Sequence, residues 1–145
     1  MVNWSYSVFG KLFKKQVFKV FVLEDNKMFL ESLKFSLNKS FQKNIEVSTF
    51  SESNSLIRGL TISPNVLVMD YHLDDDSIID GIELVKYVRA HHPNTQIIVL
   101  TNENKVKTAL ECYKEGVSNY IKKDIGSVNK LIQELIYKKD LSSAA

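Results

Sequence analysis

Apolar positions along the chain recur in two alternating rhythms. Short blocks rich in β-branched and aromatic residues are each followed by longer stretches where apolar residues return every three or four positions. These are the marks of a strand and then an amphipathic helix. The most informative block is Asn65-Val66-Leu67-Val68-Met69-Asp70, apolar at successive positions until it ends in a carboxylate. A strand apolar on both faces belongs inside a parallel sheet covered by helices on each side. Val17 to Leu23 is a similar run closing on Glu24-Asp25-Asn26, and Ile45 to Phe50 is a shorter alternating one. Gln96 to Leu100 leads into Thr101-Asn102, and Val117 to Lys122 leads into Lys123-Asp124.

The helical stretches fall between and after these blocks. Phe29, Leu30, Leu33, Leu37 and Phe41 predict the first, with Asp25 or Asn26 as its N-cap. Leu56, Ile57 and Leu60 predict the second, capped by Ser51 or Ser53 and broken at Ser63-Pro64. After a loop from 71 to 80, Leu84, Val85 and Val88 mark the third, which stops at His91-His92-Pro93-Asn94. Val106, Ala109, Leu110 and Tyr113 give the fourth its apolar face, and Gly116 is placed to end it in a left-handed conformation. Val128, Leu131, Ile132, Leu135 and Ile136 stripe the fifth, ahead of a polar tail, 138 to 145, expected to fray. Strand–helix alternation with short units predicts an α/β fold, a doubly wound parallel sheet with right-handed crossovers.

Composition changes this picture little. At 145 residues, 44% hydrophobic and 25% charged, the chain fits one domain over 17–137. A net charge of +2 without a basic helix face gives no case for nucleic acid. The lone Cys112 excludes an internal disulfide and suits a reducing, cytoplasmic setting, where it reads as a small buried apolar residue. No apolar run approaches the ~20 residues of a membrane span, and no signal peptide is evident.

Residues 1–16 differ in character: Trp4, Val8, Phe9, Leu12 and Phe13 share a helical face opposite Lys11, Lys14 and Lys15. Packing on the domain or self-association into a homodimer is preferred for this extension over an interfacial helix on anionic lipid, because one short basic helix anchors weakly. His91-His92 reads as a solvated turn without further metal ligands nearby, and Asp74-Asp75-Asp76 as a solvated loop.

Four of the five predicted strands end in residues suited to phosphate chemistry: Glu24-Asp25, Asp70, Thr101 and Lys123. In a parallel sheet these ends share one edge, where ligands of such folds sit. Three carboxylates in a shallow cleft repel one another and raise each other's pKa. A divalent cation offsets that cost, and an all-oxygen donor set favours a hard ion such as Mg2+. Metal, the Lys123 ammonium and the Thr101 hydroxyl each answer one equatorial oxygen of a transferring phosphoryl group. The Asp70 carboxylate is left in line as nucleophile.

The motifs VLEDN, VLVMDYHL, IIVLTNE and GVSNYIKKD, in this order from about residue 17 to 137, resemble those of the receiver domains of two-component response regulators. The resemblance implies a flavodoxin-like receiver fold, strand order 2-1-3-4-5. It also implies a signalling module and not an enzyme, with Asp70 phosphorylated by a histidine kinase or phosphotransfer protein. Asp25, Asp70 and the backbone carbonyl of His72 would ligate Mg2+, with Glu24 assisting through water. Lys123 would pair with the phosphoryl group, Thr101 would swing to bond it, and Tyr120 would turn inward as the switch aromatic. The implied output is a population shift in the face of the fourth helix, fifth strand and fifth helix, read by a downstream protein. Because no output segment follows the last helix, the reading is a stand-alone receiver. Departures from the pattern are a longer loop with Asp74 where proline is common, and Asp124 in place of proline after Lys123. His72 and Glu103 fill the positions that in the family tune loss of the phosphoryl group.

Two alternatives stand beside this reading. An aspartyl-phosphate phosphohydrolase resembling the haloacid dehalogenases needs a second acid two residues after the nucleophile, and His72 stands there. A degenerate receiver acting as a binding scaffold is disfavoured by the full set of acids, threonine and lysine.

Overall fold

The computed structural model describes residues 16–74, 79 and 81–144. The predicted helix within residues 1–16 and the course of the loop beyond Asp74 therefore lie largely outside the described residues. Among those described, the order is β1 (Phe18–Leu23), α1 (Lys27–Phe41), β2 (Ile45–Phe50), α2 (Ser53–Gly59), β3 (Val66–Met69), α3 (Gly81–His91), β4 (Gln96–Thr101), α4 (Val106–Lys114), β5 (Asn119–Lys122) and α5 (Ser127–Ala144). The strands form one parallel sheet in the order β2-β1-β3-β4-β5, as expected from the sequence.

Period-two alternation along each strand divides the core into two layers. Val20, Val22, Val66, Val68, Ile98 and Leu100 face Leu30, Leu33 and Leu37 of α1 and Leu131 and Leu135 of α5. Their neighbours Phe21, Leu23, Leu67, Met69, Ile97 and Val99 face Leu56, Leu84, Val85, Val88 and Cys112. All four residues of β3 are buried, as a central strand covered on both faces requires.

Local signals set the ends of the helices. Asn26 is the N-cap of α1, and its Oδ1 accepts from the Phe29 N–H at 3.0 Å. An Asn26→Ala variant is expected to lose about 1 kcal/mol, read as a lower urea midpoint with unchanged slope. Gly116, at φ +90, ends α4 in the left-handed conformation expected of it.

Three expectations fail locally. The N-cap of α2 is Glu52 without a side-chain cap bond, while Ser53 is buried inside the first turn. Residues 138–144, expected as a tail beyond the helix, continue α5, with Lys138 Nζ donating to Gln96 Oε1 at 3.3 Å. The apolar stripe of α4 points to solvent: Val106, Leu110 and Tyr113 are exposed, and Cys112 is the residue of that helix that is buried.

Candidate functional site

The sheet ladder runs one residue past the ends of β1, β3 and β5. The Glu24 N–H donates to the Phe50 carbonyl at 3.0 Å, Asp70 N–H to Leu23 at 3.0 Å and Lys123 N–H to Thr101 at 2.8 Å. The main chains of these residues are therefore fixed by the sheet, and their side chains leave it at its carboxyl edge. There Lys123 Nζ donates to Glu24 Oε2 and to Asp70 Oδ2, each at 2.6 Å. The Phe29 ring lies 4.7 Å from the ammonium, adding a cation–π contact.

The remaining acid comes from the loop after β1. Asp25 Oδ2 accepts the Asp74 N–H at 2.8 Å, which ties that carboxylate to the start of the loop after β3. Glu24 Oε1 accepts the Asn26 N–H at 3.0 Å, and Asp70 Oδ1 accepts the His72 N–H at 3.3 Å. Together they open on a cleft of about 380 Å³, which Thr101 and Glu103 also line.

Burial pushes the Glu24 carboxyl above its ordinary pKa, against the pull of Lys123. Burial also works against the Lys123 ammonium, but the hydrogen bonds and charges of Asp70 and Glu24 outweigh it and raise its pKa. One oxygen each from Glu24, Asp25 and Asp70 lies within 4.8 Å of the others. Three carboxylates against one ammonium leave two negative charges, in a set of oxygen donors. The residues present therefore fit a hard dication.

Thr101 is buried at the end of β4, and its Oγ1 accepts the Glu103 N–H at 3.2 Å. The Tyr120 hydroxyl donates to the Glu103 carbonyl at 3.0 Å. Burial, with charge from Cys112 and Glu103 adding to it, pushes the Tyr120 phenol up to about 12. His72 Nε2 meets Glu103 Oε2 at 3.0 Å, and that hydrogen bond holds the Glu103 carboxyl below its usual range. Asp70, Glu24, Asp25, Thr101, Lys123 and His72 thus share one cleft, with Tyr120 joined to it through Glu103.

Sequence reasoning missed three contributors: Asn26 as a donor to Glu24, Phe29 beside the ammonium and the Asp74 main chain on Asp25. Asn26 and Phe29 carried a signal, Asn26 in following the acids directly and Phe29 in lying one helical turn beyond Asp25. The Asp74 contact depends on how a loop folds back and carried none.

A profile of the family described as response regulator receiver domain matches residues 20–136. The chain belongs to this family. As a receiver domain it is 35% identical over 102 residues to the transcriptional regulatory protein RcsB of Escherichia coli (strain K12), an alignment covering 68% of this chain and 47% of the relative. The chain spans about half the length of the curated relatives it matches. Among solved structures, RcsB from Salmonella enterica serovar Typhimurium, bound to promoter rprA with phosphomimetic BeF3-, superposes at a TM-score of 0.72 and 27% identity. That match covers 82% of this receiver domain and 66% of the RcsB chain. A CheY-like receiver domain protein from Methanospirillum hungatei JF-1 shares the fold at a TM-score of 0.75 and 18% identity, over 89% of this chain and 98% of that one.

Phosphorylation-dependent two-component signalling is the function this family membership carries. The expectations of a stand-alone module and of no nucleic-acid partner have no such support, since the RcsB structure is of a promoter complex. No described helix of this receiver domain is long and apolar enough to cross a membrane.

Proposed function

We propose that Asp70 accepts the phosphoryl group in this chain, from a phosphohistidine of a histidine kinase or phosphotransfer protein. The observation carrying this reading is the Lys123 ammonium held at 2.6 Å from both Asp70 and Glu24, with Asp25 and Thr101 lining the same cleft. An Asp70 carboxylate oxygen forms the new bond to phosphorus as the donor's P–N bond breaks, and the imidazole leaves with the bonding pair. Lys123 moves with the charge from the free carboxylate to the phosphoryl oxygens. The Thr101 hydroxyl turns from the Glu103 main chain to donate to one of them, which frees Tyr120 to reorient. The contact surface of α4, β5 and α5 then shifts in population and changes its binding to a downstream protein.

Glu24, Asp25 and Asp70, with the His72 carbonyl, would hold Mg2+, which would supply positive charge opposite the transferring oxygens. Mg2+ at about 100 times its dissociation constant is expected to stabilise the chain by ~2.7 kcal/mol, read as a rise in melting temperature. No rise, or the same rise in a Glu24→Gln/Asp25→Asn variant, would remove the ion from this site.

Incubation with acetyl phosphate tests the reading as a whole. Label is expected with Mg2+, and none with EDTA. The bond formed should be labile to hydroxylamine, as an acyl phosphate is. Hydroxylamine-resistant label would contradict it, and rapid turnover of a phosphate monoester would favour a phosphohydrolase. A cytoplasmic setting belongs to the same proposal.

A further inference from the structure

The β3–α3 and β4–α4 loops meet at a contact that the phosphoacceptor reading leaves unused. His72, two residues past Asp70, reaches across the cleft to Glu103, and the imidazole is largely exposed while the carboxylate is 13% exposed. Glu103 is tied on every side. Its Oε1 accepts the N–H groups of Asn104 and Lys105 at 3.1 and 3.0 Å, which are the last two residues before α4. Its own N–H donates to Thr101 and its carbonyl accepts from Tyr120. The carboxylate therefore does two things at once: it holds the imidazole across the cleft and satisfies main-chain donors at the entry to α4. Lys105, the N-cap of that helix, makes no side-chain cap bond, so this entry leans on Glu103.

A phosphoryl group on Asp70 carries a charge of roughly −1.5 to −2 in place of the carboxylate's single one, and brings three acceptor oxygens into the cleft that both residues line. It competes with Glu103 for the imidazole N–H and repels the carboxylate. We propose that the His72–Glu103 pair is a clasp that couples the filled cleft to α4: on phosphorylation His72 changes partner from Glu103 to the phosphoryl oxygens. Glu103 then loosens its hold on Asn104 and Lys105, and the start of α4, with the exposed Val106, is released. This rests on Asp70 being the phosphoacceptor and adds a route to α4 that runs through the His72 and Glu103 side chains.

The test is amide hydrogen exchange by NMR at Asn104 and Lys105, with and without beryllium trifluoride and Mg2+, alongside melting temperature as a separate readout of binding. In the natural chain the probe is expected to speed exchange at both amides about tenfold. His72→Ala should exchange fast without the probe and change little on adding it, and its rise in melting temperature should be smaller than in the natural chain, because the imidazole contact to the probe is lost while Asp70, Glu24, Asp25 and Lys123 remain. His72→Gln, whose amide can still donate to Glu103, should behave like the natural chain, an outcome that loss of packing alone would not give. Binding of the probe with the same exchange at Asn104 and Lys105 in the natural chain and His72→Ala would overturn the clasp and leave Asp70 as phosphoacceptor intact. No rise in melting temperature in any variant would overturn both.

Discussion

An Asp70→Asn variant is expected to take up no label from acetyl phosphate and Mg2+ above background, and to keep the fold. The amide has the shape of the carboxylate but neither its charge nor its nucleophilic oxygen, so the bond to phosphorus cannot form. The fold survives because the Asp70 N–H stays in the ladder with Leu23 and Lys123 keeps Glu24 as a partner at 2.6 Å. Affinity for Mg2+ should fall as well, one of three clustered carboxylates being gone. Full labelling of the variant would take Asp70 out of the mechanism. A loss of label accompanied by loss of the far-ultraviolet circular dichroism signal would mean only that the variant is unfolded, which makes the spectrum a necessary partner to the assay.

Replacing Lys123 should have the largest effect on stability. The ammonium is the cation bridging two carboxylates whose side chains are 3% and 9% exposed. Lys123→Met leaves those charges facing one another without it. Removing one member of a buried pair costs roughly 3 kcal/mol, which in a domain of this size lowers the melting temperature by about 10 °C.

The pH dependence of that loss has a definite sign. Burial already raises the Glu24 pKa in the folded chain, and Lys123 is the main group lowering it. Without the lysine the folded state binds a proton at Glu24 where the unfolded chain does not. The variant should therefore gain stability relative to the natural chain as pH falls from 7 toward the ordinary carboxylate range, and lose it again as pH rises. Mg2+ should likewise recover part of the deficit. In the natural chain the raised Lys123 pKa places its own contribution below the unfolded value of 10.5, lost as pH climbs through the folded value. Equal melting temperatures for the two proteins at pH 7 without metal would contradict the bridging role.

The sequence made the sheet and the convergence of the acids legible because both follow from periodicity. Val66 to Met69 are apolar at every position, which only a strand covered on both faces tolerates, and parallel strands bring their carboxyl ends to one edge. Asp70, Glu24 and Lys123 each follow a strand of that parallel sheet, so their meeting is a consequence of topology.

Periodicity says less about what covers a stripe. Val106, Leu110 and Tyr113 repeat at helical spacing as faithfully as Leu30, Leu33 and Leu37, yet the first set faces solvent and the second the sheet. Cys112, about 200° around α4 from Leu110, is the residue turned inward. The tail after 137 reads as polar and is polar, but a solvated helix needs no apolar face to continue α5 to Ala144. The reach of His72 to Glu103 and of Asp74 to Asp25 depends on loop paths between strands, which no pattern along the chain encodes.

Reduction with borohydride is the most direct measurement. It converts an aspartyl phosphate to homoserine, and peptide mass spectrometry then locates the changed residue after treatment with acetyl phosphate and Mg2+. Homoserine is expected at position 70 and at no other aspartate. Homoserine at position 25, 74, 75 or 76 with position 70 unchanged would contradict it.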